Sequence, residues 1–426
     1  MMRIKLHKRS LMMLILVLIL FSGNTIIISY ITPLLYLAGF FSVLWRNKKQ
    51  LASNNYTKMI VCLYFAWMIF LTINTLQSYD INASKSMLPV FIIGGLFGLF
   101  SWREKTVHTY MKMIRVFCLF FAFSILLEVI APNLILSLST IVAPGRSAVI
   151  QNEISRGIYS GLTGEKAKAA YAMVVGVCVE LAFYIFNNKR IHTKNYLFIA
   201  IYVLAAMLTS KRMLCAIIML EIAIALNLFD FKGKAVKILL GGAVGLIALL
   251  IITITIPQTS NIIDRFMGGV GDTSAGGRLM FWNYCIVMFK NKPFIGYGIN
   301  TFNKAFSDNV GYVFQGSLWN MYAHSMYYEL LGETGIIGIV LFCAIMIFSL
   351  VYSIKLYKYG NMTNVWRGLL WFSISMQVLF IVYGYSGNVL YDKAQLFTYL
   401  SSISMVIAVS HNAIYGKQGD VNRMEA

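Results

Sequence analysis

Residues 11–45 read LMMLILVLILFSGNTIIISYITPLLYLAGFFSVLW. A hydrocarbon core about 30 Å thick takes roughly 20 helical residues to cross. The stretch is therefore long for one upright helix and tight for two. Gly23-Asn24 interrupts it, and on that break we divide it into spans 11–25 and 27–45. Reading it as one long tilted helix would invert the sidedness of everything that follows. Hydropathy alone cannot decide between the two, so the distribution of charge has to.

Further apolar runs recur along the whole chain, at 57–78, 87–101, 113–134, 168–187, 196–210, 213–230, 237–256, 334–354, 368–385 and 394–415. Lipid leaves exposed backbone groups unsatisfied, so such runs are helices; the short alternating segments of a membrane β-barrel are absent. The composition agrees, being 59% hydrophobic and 12% charged, where a soluble domain is about a quarter charged. The expected fold is an all-α polytopic membrane protein of about 12 transmembrane helices. With twelve spans and the N-terminus inside, 23 of the 36 Lys and Arg residues fall in cytoplasmic segments, and each short inner loop holds at least three. This is the positive-inside pattern, and it puts both termini in the cytoplasm. The formal net charge of +20 thus reflects topology and contact with anionic membrane lipids, not nucleic-acid binding.

The basic start (Arg3, Lys5, Lys8, Arg9) before the apolar run looks like a signal peptide, but no small-residue cleavage site follows. We read an uncleaved first helix. Six scattered cysteines, only Cys285 of them in an outer loop, offer no obvious disulfide pair and no metal spacing.

Two outer loops stand apart, at 135–167 and 257–333. The second is far beyond a mere connection, which divides the chain into nine helices over 1–256, an extracytoplasmic catalytic loop with short helices over 257–333, and three helices with a cytoplasmic tail over 334–426. Within the loop, Arg278–Lys290 has the apolar pattern of a helix lying along the membrane surface. His324 is the one histidine of five placed outside; His7, His108, His192 and His411 face the cytoplasm. Taken alone such a histidine is more often structural than catalytic. Here Glu329 and Glu333 follow it, four apart and so on one helix face, and acids this close to an apolar span pair or function. The outer basic residues are Arg146 and Arg156 in the first loop, Arg265 and Arg278 in the second, and Lys211-Arg212 in a tight turn. Snorkelling to headgroups accounts for them, as does gripping an anion such as pyrophosphate with forked hydrogen bonds. No DxD, no Gly-rich loop ending in Lys-Ser/Thr and no Gly-x-Ser-x-Gly elbow occurs. An enzyme here would use a substrate activated beforehand, its leaving group stabilised by arginines and not by a metal.

Three stretches together carry a family resemblance: Gly277-Arg278-Leu-Met-Phe-Trp282; Asn291-Lys-Pro293-Phe-Ile-Gly296-Tyr-Gly298-Ile-Asn-Thr-Phe302; and Ala323-His324-Ser-Met-Tyr-Tyr-Glu329-Leu-Leu-Gly-Glu333-Thr-Gly335-Ile-Ile-Gly338. In order and spacing they resemble the signature of O-antigen ligases and Wzy-type polysaccharide polymerases, best over 275–345. Weaker likeness covers Arg156–Gly161 and Leu208–Arg212. Arg146 and Arg265, each with a glycine eleven positions on, resemble an Arg-x10-Gly pattern of some polymerases. Two positions depart from the family: Ser325 stands where Asn is usual, and Thr163-Gly-Glu165-Lys166 replaces Asn-Pro-Asn.

The resemblance implies a metal-independent, cofactor-free, inverting glycosyltransferase in a bacterial inner membrane, with its active site extracytoplasmic. Its partners would be undecaprenyl-pyrophosphate-linked glycans and, for length control, a chain-length regulator. It implies His324 as general base, with Arg278, Arg156 and Arg212 on the pyrophosphate, Lys211, Arg146 and Arg265 as further anion ligands, and Glu329 or Glu333 orienting the histidine. Polymerase is the first expectation, ligation of finished glycan onto lipid A core, teichoic acid or protein the second. A transporter or lipid-oligosaccharide flippase is the rival of another class, for which Glu128, Glu180 and Glu221 in or near spans would be the sites.

Overall fold

The computed structural model describes residues 55–96, 103–142, 146–187, 193–228, 273–310 and 322–424. The expected spans 11–25, 27–45 and 237–256, and Arg265, lie outside them. In chain order the helices are α1 (Asn55–Leu76), α2 (Ile81–Lys85), α3 (Leu88–Leu96), α4 (Glu104–Ile130), α5 (Pro132–Val142), α6 (Ser147–Ser155), α7 (Lys166–Phe186), α8 (Thr193–Leu208), α9 (Arg212–Leu228), α10 (Thr273–Asn291), α11 (Phe302–Val310), α12 (Met326–Tyr359), α13 (Asn364–Tyr383) and α14 (Lys393–Met424). No strand occurs among the described residues.

Among the described residues, five helical stretches are long and apolar enough to cross a membrane: Lys58–Leu76, Glu104–Ile130, Lys166–Phe186, Met326–Tyr359 and Asn364–Tyr383. The chain is a helical membrane protein. The expected spans 196–210 and 213–230 are helices of 16 and 17 residues, about 24–26 Å long at 1.5 Å per residue and so shorter than the hydrocarbon core. The expected outer loop at 135–167 is itself largely helical, holding most of α5, all of α6 and a 3-10 turn at Gly161–Thr163.

The chain forms two compact units, each assembled from separated segments. Of the described residues, one comprises 103–142, 146–187, 193–228 and 363–375. Its centre is α7, whose apolar window is wholly buried beneath α4, α8 and α9. Lipid tails are as apolar as leucine, so these contacts come from close packing at small residues. Gly176 shows this: a Cβ there would lie 2.8 Å from the Tyr202 ring. Within this unit Arg115 and Glu180 make a two-pronged ion pair (2.6 Å for each bond), and Asn195 donates to the same carboxylate at 2.6 Å. The guanidinium also sits 3.8 Å from the Phe183 ring centroid. A buried ion pair is tolerable only when its remaining hydrogen-bonding capacity is filled in this way.

Of the described residues, the other unit comprises 55–96, 273–310, 322–362 and 376–424. Here α1 and α10 pack on α12, and α14 packs on α3. Its aromatic core is built from Trp67, Phe91, Phe342, Phe380 and Tyr399, all buried, with Phe380 stacked on Tyr399 at 4.0 Å. Helix α12 starts eight residues before the expected span at 334–354, so Glu329 and Glu333 are helical and not in a loop. It is broken at Gly335, whose φ of 62° and ψ of −166° are non-helical. The break frees two N–H groups, and both are taken up: Ile336 N–H donates to the Pro293 carbonyl at 2.8 Å and Ile337 N–H to Phe294 at 3.3 Å.

Candidate active site

The kink of α12 and the turn at 293–302 hold each other. Tyr297 N–H donates to Gly332 C=O and Gly298 N–H to Glu333 C=O, at 3.3 and 2.8 Å. The approach is so close that a Cβ on Gly296 would lie 2.3 Å from the Glu333 backbone, and one on Gly335 2.5 Å from that of Phe294. Both glycines have positive φ, which only glycine adopts freely. Asn74, fully buried in α1, completes the joint. Its amide donates to Ile295 C=O (2.8 Å) and Glu333 C=O (3.0 Å) and accepts from Ile299 N–H (2.8 Å).

The two glutamates divide the work between them. The Glu333 carboxylate accepts Asn300 N–H at 2.8 Å, Phe302 N–H at 2.7 Å and the Tyr391 hydroxyl. It thus caps the N-terminus of α11, whose first N–H groups have no partner within the helix. The Glu329 carboxylate, also buried, accepts Ala323 N–H, immediately before the candidate base. Of the two, Glu329 is therefore the one that touches the histidine segment, and it does so through the backbone.

That segment is fixed on both sides of His324. Ahead of it, the Ala323 carbonyl accepts the Trp282 indole N–H at 2.8 Å. Behind it, Met326 N–H donates to Gly384 C=O at 2.8 Å. Between these anchors His324 is exposed with φ of 55°, in the left-handed region that histidine visits more readily than most residues. Ser325, at the N-cap, makes no side-chain cap bond, so the helix start is secured by the Gly384 carbonyl and the fold around it. Arg278 lies one turn before Trp282 on α10, hence on the same face, and is half-buried. Cys285 and Met288 continue that face into the core, where α10 crosses α12 closely enough that a Gly332 Cβ would lie 3.0 Å from the Cys285 carbonyl.

The other expected site residues lie in the first unit. Arg156 is exposed and ends α6 in a left-handed glycine cap: Gly157 has φ of 68°, and Ile158 N–H donates to Glu153 C=O. The chain then binds at Ser160 and Gly161, whose N–H groups donate to Glu128 at 2.8 and 2.6 Å. Tyr159 N–H donates to Leu208 C=O at 3.1 Å, which sets the Arg156 segment beside the turn of Ser210, Lys211 and Arg212. Arg146 is instead committed to Glu165 at 2.9 Å, and Lys168 reaches the same carboxylate at 3.2 Å. Burial pushes the Glu165 carboxyl up, but Lys168 and Arg146 outweigh it and hold it below its ordinary value.

Asn74, Trp282, Tyr391 and the loop-holding part of Glu128 were not legible as site residues. Asn74 did carry a signal, a lone amide deep in an apolar run; Glu128 pointed to a transport site instead. The non-glycine residues with positive φ among those described are Ser210, Asn300 and His324, each in a segment singled out above, as strain at functional positions would have it. No group of three or more His, Cys, Asp or Glu comes together among the described residues.

Comparison with curated proteins gives no match. Residues 196–343 do match a protein-family model described as O-antigen ligase. The match runs from α8 into α12 and includes Lys211, Arg212, Arg278, His324, Glu329 and Glu333. The motif resemblance and this match concur: the chain carries the O-antigen ligase/Wzy-type family region, whose members are membrane glycosyltransferase-like enzymes.

Proposed function

We propose, with that family as premise, that the protein is a polysaccharide polymerase. It transfers an undecaprenyl-pyrophosphate-linked glycan to a sugar hydroxyl on another lipid-linked repeat unit, on the outer face of the cell membrane. The observation that supports this best is the exposed imidazole of His324 on a backbone held by Glu329, Trp282 and Gly384. A general base needs that kind of fixed position, because proton abstraction tolerates little misplacement.

The acceptor oxygen attacks the anomeric carbon of the donor while a His324 ring nitrogen takes its proton. The bond from that carbon to the pyrophosphate oxygen breaks, and the lipid pyrophosphate leaves with the electron pair, so a single displacement inverts the anomeric centre. Charge builds on the leaving oxygen, and Arg278 is our choice to stabilise it. Arg156, Lys211 and Arg212, which belong to the other unit, form a candidate anion-binding group of their own there. Arg146, tied to Glu165, we assign to holding its loop.

Deletion of the gene followed by complementation tests the reading. Single lipid-linked repeat units should accumulate in the deletion strain and be chased into polymer by the wild type but not by a His324 variant. Long lipid-linked polymer that never reaches its final acceptor would instead establish ligation, the activity the family description names. Unchanged glycans would remove the proposal and favour transport.

A further inference from the structure

The two anchors beside His324 each bring an aromatic ring with them. Trp282, which holds Ala323, stacks on Tyr328 with ring centroids 4.8 Å apart and planes 9° apart. Tyr385 follows Gly384, which holds Met326, and its ring stands 6.0 Å from Trp282 at 58°. Trp282 and Tyr328 are only partly buried and Tyr385 is 58% exposed. Three rings are thus clustered on Trp282, carried by segments that are hydrogen-bonded to the backbone on either side of His324.

Large exposed rings cost solvation unless something covers them. If His324 takes a proton from a sugar hydroxyl, the ring bearing that hydroxyl must lie beside it. A pyranose has an apolar C–H face and a polar hydroxyl rim. The C–H face, slightly positive, complements the negative face of an aromatic ring, and the phenol groups of Tyr328 and Tyr385 offer polar partners to the rim. Tyrosine and tryptophan also gather at membrane–water interfaces, but headgroup anchoring does not call for a ring cluster tied to the backbone beside the candidate base.

We propose that Trp282, Tyr328 and Tyr385 form a stacking platform for the acceptor sugar and present its hydroxyl to His324. The inference rests on the reading of His324 as the acceptor base. It makes Tyr385 a determinant of acceptor choice, favouring sugars with one flat, unsubstituted C–H face.

The test uses the full-length protein in lipid nanodiscs. The donor is lipid-linked repeat unit from the deletion strain, and the acceptor is the soluble repeat-unit oligosaccharide released from that lipid by mild acid. Tyr385→Ala should raise the acceptor KM about five- to tenfold, the scale of one aromatic contact, with donor KM within about twofold, a bound set by that same scale. Tyr385→Phe should recover most of the loss. Saturation-transfer NMR on the oligosaccharide should lose its aromatic contact in Tyr385→Ala. Wild-type transfer with an indifferent Tyr385→Ala would overturn the platform alone. Parallel loss of donor and acceptor binding with a lower melting temperature would also overturn it, in favour of interfacial anchoring. A wild type that neither transfers nor binds the glycan would bring down the polymerase reading and the platform together.

Discussion

His324 sits at φ of 55°, and that governs how its chemistry should be probed. Alanine there meets a left-handed penalty of about 1–2 kcal/mol, which mixes a folding defect into any activity measurement. Asparagine tolerates the conformation, so His324→Asn should leave the melting temperature in detergent close to wild type. Loss of a general base typically costs 10²–10⁴-fold in rate, and transfer should fall by about that factor. Glu329→Ala would leave the buried Ala323 N–H without its acceptor, a cost of about 1–3 kcal/mol. It should lower kcat more than it raises donor KM; an unchanged kcat would show that the segment is held well enough by Trp282 and Gly384. Histidine and both glutamates were legible as a unit from their spacing. Their division of labour was not, because Glu333 is claimed by Asn300, Phe302 and Tyr391, partners that helical periodicity cannot bring into view.

At the level of elements, the kinked start of α12 and the turn at 293–302 form one structural joint. Gly335→Ala would add strain at a backbone conformation open to glycine alone and a clash with Phe294, a combined cost above about 3 kcal/mol. Folded protein should be lost on size-exclusion chromatography in detergent. Asn74→Leu preserves the apolar helix but strands the Ile295 carbonyl and the Ile299 N–H, and leaves the Glu333 carbonyl with Gly298 N–H alone. A destabilisation of about 2–4 kcal/mol is expected, read as a lower melting temperature. The glycines and the proline of this joint stood in the motif stretches that carry the family resemblance, yet the expected span began at 334 because hydropathy registers only the apolar part of α12. The first loop makes a pH prediction. Glu165 is held below its ordinary value by Lys168 and Arg146 against the opposing effect of burial. A depressed folded value means the support is complete above the usual carboxylate range, about pH 4.3, and is lost as pH falls through the folded value. Amide protection across 147–165, taken relative to the intrinsic exchange rate at each pH, should fall at acid pH and stay level between about pH 6 and 8.

For the molecule as a whole, composition and charge were enough to recognise a helical membrane protein, and order of motifs enough to recognise its family region. The grouping of helices was not legible: α1 and α3 join α10, α12 and α14, while α4–α9 form the other unit, and nothing in local periodicity records contacts between segments hundreds of residues apart. The charge bias predicts that both termini face the cytoplasm. Reporter fusions at the two ends and after residue 310 should give cytoplasmic, cytoplasmic and extracytoplasmic signals; a cytoplasmic signal after 310 would put the candidate base on the wrong side for lipid-linked glycans already flipped outward.

The joint between 293–298 and 332–337 is made almost wholly of main-chain groups, donated by Tyr297, Gly298, Ile336 and Ile337. Main-chain bonds do not read side chains, so apart from Glu333 and the closely packed glycines the letters in both stretches are free to change over generations. What descent cannot alter is their count. One residue gained or lost inside either stretch shifts every later donor away from its acceptor. In the lineage of this protein these two short pieces are bound to inherit a fixed length together, with glycine at 296 and 335 as the spelling that cannot drift.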